Sequence, residues 1–351
     1  MKKKYQNKKF KRHSAQRARR EEKARERIRT RKRGALTPKK PRRRRKDSRV
    51  KAPALFSLTE NTDETIRFFT KLEGALTETP EDKIVFIDLG SVTKMTPEVI
   101  VVLISRIEEE TLVPQLYGNA PQNDVARNML ASSGFYDFVT SQTRVRNPKR
   151  GVIEKCGDRI VDPEKAAQLI DQVRESFQMS LKQEDGHQAT AIECMTNTRE
   201  HASGNKNRKG EKKWWFSVYC DSENKVVQFA FVDLGIGIFA SLERRKMPWS
   251  GSEMRSDLLK KLLANQTGDN GLSPRKRTST GKGHRGRGLP NIANRNREGQ
   301  TRRLRIISNN VFADVEKSDY HMLEQEFSGT VVCWEHSVED ATETPHRSTS
   351  K

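Results

Sequence analysis

Val226-Val-Gln-Phe-Ala-Phe-Val-Asp233-Leu-Gly235-Ile-Gly237 is an apolar run that ends in an acid and then in two spaced glycines. A short apolar run bounded by turn residues predicts a buried strand, here over Lys225 to Asp233. Asp221-Ser222-Glu223-Asn224 separates it from a second apolar run, Trp214 to Cys220, so the two are expected to pair as a hairpin. An acid at a strand end can accept a hydrogen bond from an adenine amino group. The glycines after it let the backbone approach a flat base and adopt dihedrals closed to other residues. An ordinary strand-ending turn has the same spelling, so the surroundings decide.

Upstream, Glu193-Cys-Met-Thr-Asn197-Thr-Arg-Glu-His201 falls in a helix expected over Thr190 to Ser203. Steps of four put Glu193, Asn197 and His201 on one helical face. A carboxylate there can orient or deprotonate an attacking group, and an amide oxygen suits magnesium, which prefers oxygen and takes few protein ligands. A solvated polar face is the plain alternative. Downstream, Gly283-His-Arg-Gly286-Arg-Gly288-Leu289 opens a helix that runs to Arg297. Glycines bare the backbone N–H groups, and a helix N-terminus favours a phosphate. No strand leads into this run, so it is not a dinucleotide fingerprint. Finally, Ser328-Gly329-Thr330 enters the last strand, where a hydroxyl can reach the strand-end acid or a bridging water.

In this order and spacing the four pieces resemble the GHKL (Bergerat-fold) ATPase superfamily, over residues 151–338. Glu193 and Asn197 match its ExxxN box. Asp233, Gly235 and Gly237 match the first glycine box. Gly283, Gly286 and Gly288 match the second, and Gly329-Thr330 the closing Gly-Thr. The spelling ExxxNxxxH is most similar to anti-sigma-factor kinases and histidine-kinase ATPase domains. The resemblance implies a helical layer on a mixed β-sheet, with ATP and Mg2+ as cofactors. It makes Glu193 the catalytic base, Asn197 the magnesium ligand and Asp233 the adenine contact. His201, Gly235, Gly237, Gly283, Gly286, Gly288, Leu289 and Thr330 would line the nucleotide. Asn265 to Arg287 would be the ATP lid, and it carries Arg275, Lys276, Arg277, Lys282, Arg285 and Arg287.

Working outward, residues 53–140 read as an α/β sandwich. Helices are expected over Thr62–Gly74, Pro97–Glu110 and Asn123–Ser133, with strands at Lys83–Leu89 and Val113–Tyr117. Ile84-Val-Phe-Ile-Asp88 through Met95, then Leu116-Tyr-Gly118 and Asn128 to Phe135, resemble STAS domains, the anti-sigma-factor antagonist fold. That resemblance implies a phosphoacceptor hydroxyl at the helix start, but Pro97 holds the slot. Neighbouring Thr96 is read as a helix cap. The whole is an α/β (α+β) chain: a tail over residues 1–52, disordered or partly helical, the STAS-like domain at 53–140, a linker at 141–150, the ATPase domain at 151–338 and a C-terminal tail at 339–351.

Residues 1–50 hold 25 Lys or Arg against 4 Asp or Glu, which is +21 of the chain's net +22. Such a segment buries no core and is expected to grip DNA or RNA phosphates. The four cysteines form no CxxC pair, so neither a zinc site nor a disulfide framework is expected. Scattered thiols fit a reducing cytosol, so a cytoplasmic protein is expected, and without a window of about 18 apolar residues no membrane span is expected. The leading expectation is an ATP-dependent regulatory switch that hydrolyses ATP slowly and binds nucleic acid through the arm. A serine/threonine protein kinase acting on a separate partner and a non-catalytic nucleic-acid adaptor are the alternatives. A protein partner at the STAS-like domain and a homodimer remain open.

Overall fold

A computed structural model describes residues 48–337, apart from 81–82, 110–114, 138, 140–152, 159, 178–183, 203–212, 222–223, 245–253 and 265–287. The expected tails up to residue 47 and from 339, the 141–150 linker, Gly283, Gly286 and the six cations of the 265–287 stretch therefore lie outside the described residues. The described residues belong to one compact unit.

The N-terminal half contains β1 (Ser48–Lys51), β2 (Leu55–Phe56), α1 (Thr62–Glu78), β3 (Ile84–Asp88), β4 (Lys94–Met95), α2 (Pro97–Glu109), β5 (Gln115–Gly118) and α3 (Asp124–Ser132). Strands β1, β3 and β5 form a parallel sheet in that order, and β2 pairs with β4. Parallel neighbours need long crossovers, which α1 and α2 supply. The expected tail boundary at residue 52 is corrected: Ser48–Lys51 pair with Val85–Asp88. Arg49, read as one more tail cation, donates to the Asp88 carboxylate at 2.7 and 3.0 Å. A four-residue edge strand next to a run of arginines leaves no periodicity to detect.

The C-terminal half contains β6 (Ile153–Asp158), α4 (Pro163–Phe177), α5 (Glu184–His201), β7 (Trp214–Asp221), β8 (Val226–Asp233), α6 (Gly237–Arg244), α7 (Arg255–Leu263), α8 (Gly288–Arg297), β9 (Arg302–Asp314) and β10 (Asp319–Ser337). The sheet order is β6-β7-β8-β10-β9, and every pairing is antiparallel. The expected mixed sheet is thus corrected. The helices between β8 and β9 carry the chain one place too far along the sheet, and β10 folds back into the gap. Helix α5 begins six residues before the expected Thr190, and β9 and β10 extend well beyond Arg303–Ser308 and Gly329–Glu335.

Side chains alternate across a strand, and here both faces are buried. Trp214, Phe216, Phe229, Phe231 and Trp334 face a core shared with α4, α5, α7 and α8. Trp215, Tyr219, Val232 and Val331 face the other way, into the core that contains Phe69, Leu103 and Ile107 of α1 and α2. At Asn309 the backbone turns left-handed (φ 52°) and the β9–β10 register shifts. The faces exchange there: Ile306 lies under the helices and Ile307 opposite, whereas Val311 lies under the helices and Phe312 opposite.

Candidate functional site

Helix α5 presents two faces. Ala191, Cys194, Met195 and Thr198 are buried, whereas Glu193, Asn197 and His201 are half-buried together along one side. Helix α8 runs beside that side. The Asn291 side-chain amide donates to Glu193 Oε1 at 2.8 Å. One turn earlier, Gly288 abuts Asn197 so closely that a Cβ there would stand 2.7 Å from Asn197 Oδ1 and 3.1 Å from Nδ2. A glycine at this position therefore gives the Asn197 amide its room. Leu289 points into the helical core, which anchors the start of α8.

Asp233 ends β8 opposite Thr330 of β10. Its carboxylate is buried and accepts from Gly235 N at 2.9 Å; the Thr330 and Thr198 hydroxyls near it favour its charged form, while Thr198 donates its proton to Cys194 O at 3.0 Å. Burial pushes its pKa up to about 6, against the lowering effect of those donors and of the Arg106 charge. Thr198 follows Asn197 in α5, so the strand-end acid and the amide belong to one neighbourhood. A Cβ at Gly235 would collide with Ala202 Cβ at 2.5 Å, so the turn after Asp233 lies against the end of α5. Gly237 has φ 80°, and a Cβ there would meet Asn309 Oδ1 at 2.3 Å. Gly329 (φ 121°) crosses the Asp233 carbonyl, where a Cβ would fall 2.1 Å from that oxygen. Each requirement is steric or conformational and fits glycine alone.

Three residues escaped the sequence reading. Ser308 accepts from Ile238 N at 2.8 Å and lies 3.1 Å from the Thr330 hydroxyl. Asn309 accepts from Phe239 N at 3.2 Å and donates to Ile236 O at 2.9 Å. Together they hold the Gly235–Gly237 turn from β9. Asn291 is the third. A lone Asn or Ser without a motif carries no signal in one sequence, although Asn291 lies one helical turn past Gly288. The structure therefore gathers Asn197, Asp233, Gly235, Gly288 and Thr330, with Glu193 one turn away on α5. His201 lies 3.8 Å from Glu200. Thr96 donates its hydroxyl to Glu98, in the first turn of α2.

These groups could take a hydrogen-bond donor, a hard cation and an anion. Asp233 offers a buried acceptor for an amino group, Asn197 an amide oxygen suited to a hard cation, and the Gly288 helix start favours negative charge. No protein-family model matches the chain, nor does any curated protein. Among the described residues no helix is long and apolar enough to cross a membrane.

Proposed function

We propose that this chain is a GHKL-type ATPase, with a Bergerat-fold domain behind a STAS-like domain, which uses Mg-ATP as a regulatory switch. The observation that carries the reading is the meeting of Asn197, Asp233, Gly288 and Thr330 around the C-terminal part of α5. They come from a helix, a strand end, the strand paired with it and a second helix start, four segments spread over more than 130 residues of chain. Asp233 takes the adenine amino group, Gly235 N and Thr330 flank the carboxylate, and Asn197 holds the cation. Magnesium, when bound, neutralises triphosphate charge. Glu193 orients or deprotonates the attacking water through the oxygen that Asn291 leaves unengaged. The +21 segment at residues 1–50 grips nucleic-acid phosphates.

Calorimetric titration of the purified full chain with ATP, with and without magnesium, and a phosphate-release assay test the reading. Saturable, magnesium-dependent ATP binding with slow release of inorganic phosphate is expected. Indifference to millimolar Mg-ATP overturns it, and phosphate transferred to a protein partner replaces the switch with a kinase.

A further inference from the structure

The run Phe327–Thr330 brings Thr330 opposite Asp233, yet the ladder to β9 is irregular along it. The β9–β10 register breaks between Met322 and Phe327 and again between Phe327 and Thr330. Peptide groups released from a ladder are open to partners outside it. Here they find them in the N-terminal half. The Asp63 carboxylate of α1 accepts from Glu324 N at 2.9 Å and Gln325 N at 3.2 Å. The Arg106 guanidinium of α2 donates to Ser328 O at 2.7 Å and lies 4.8 Å from the Phe327 ring centroid. Its side chain is 2% exposed and is ion-paired with Glu73 of α1. One buried cation thus joins α1 and α2 to the two residues that precede Gly329 and Thr330.

We propose that Arg106 is a positioning residue of the nucleotide site: through Phe327 and Ser328 it sets the Thr330 hydroxyl on Asp233, so that recognition of the adenine amino group depends on the docked N-terminal half. The inference rests on Asp233 being the adenine contact. A carboxylate whose flanking hydroxyl is displaced still accepts a proton donor, but with its orientation lost, and base discrimination falls. A planar fork reaches Glu73, Ser328 O and an aromatic face at once, which a lysine cannot do. A purely structural role predicts lower stability with base preference intact, so preference is the quantity to read. Glu108 supplies the comparison. It also joins the halves, through Trp215 Nε1 at 2.8 Å and Lys213 Nζ at 3.1 Å, but it lies on β7's side of the contact.

The test uses the full chain with Arg106→Met combined with Glu73→Gln, which removes both partners of the buried pair together, beside Glu108→Gln. Affinities for Mg-ATP, for Mg-inosine triphosphate, which lacks the amino group, and for tripolyphosphate are measured with thermal melting. The unmodified chain is expected to prefer ATP. In the Arg106/Glu73 variant that preference should shrink by about fivefold or more, with tripolyphosphate binding unchanged, whereas Glu108→Gln keeps it. If the double variant does not fold, Arg106→Lys is read the same way. A folded variant with the original preference overturns the role of Arg106 while leaving the nucleotide site standing. Absence of Mg-ATP binding in the unmodified chain overturns both.

Discussion

Asn291 donates its amide N–H to Glu193 Oε1 at 2.8 Å, one helical turn beyond the glycine that abuts Asn197. A single helix therefore sets the positions of both polar residues that the ExxxN spelling singles out. Asn291→Ala should lower turnover by about tenfold, in line with the cost of misplacing a reacting group, and leave Mg-ATP affinity unchanged. Single-turnover phosphate release beside calorimetric Kd values checks this. Equal turnover in the variant removes Asn291 from the account.

Gly288→Ala should act on the cation instead. The new methyl group would fall 2.7 Å from Asn197 Oδ1, and the amide has to swing away. Magnesium-dependent ATP binding should weaken by about tenfold to a hundredfold, while binding in excess chelator changes little. An equal loss with and without magnesium would point to a general distortion of α8.

Asp233 gives a pH-dependent prediction of definite sign. Its pKa rises from 3.8 unfolded to about 6 folded, so the folded state holds the proton more tightly. The stability this provides is complete below pH 4 and is lost as pH rises through about 6. A shift of that size corresponds to roughly 3 kcal/mol. Asp233→Asn, a neutral isostere, should therefore be more stable than the unmodified chain at pH 8 and equal to it near pH 4, while binding ATP more weakly. Denaturant melts at the two pH values, with ATP titration, measure both effects.

The division between arm and fold can be cut precisely at one residue boundary. Removing residues 1–46 should abolish salt-sensitive binding to nucleic acid and spare Mg-ATP binding. Removing residues 1–52 also deletes β1 and the Arg49–Asp88 pair, and should lower the melting temperature. DNA and RNA titrations at two salt concentrations decide whether the arm binds either. Unchanged binding after the shorter deletion excludes it.

Much of this architecture could be read in advance wherever burial imposes a period. The β7–β8 hairpin, α1, α2 and α8 follow from apolar spacing and turn residues alone. The candidate site is legible where close packing demands glycine, at Gly235, Gly237 and Gly288, and where an acid ends a strand, at Asp233. What escaped was set by tertiary contact. Ser308 and Asn309 act only because a bulge turns them toward the start of α6, 70 residues away. Arg106 reads as a polar residue in an apolar helix until β10 is placed beside it. The mixed sheet was inferred from resemblance, and strand direction depends on where β10 re-enters, which no local pattern encodes.

The antiparallel sheet lies between two hydrophobic layers, one supplied by its own helices and the other by α1 and α2. Shuffling by recombination works with cassettes whose borders expose little oil. A gene fragment cut near residue 150 would instead yield two sticky pieces, so this pair of halves is expected to be inherited as a single unit.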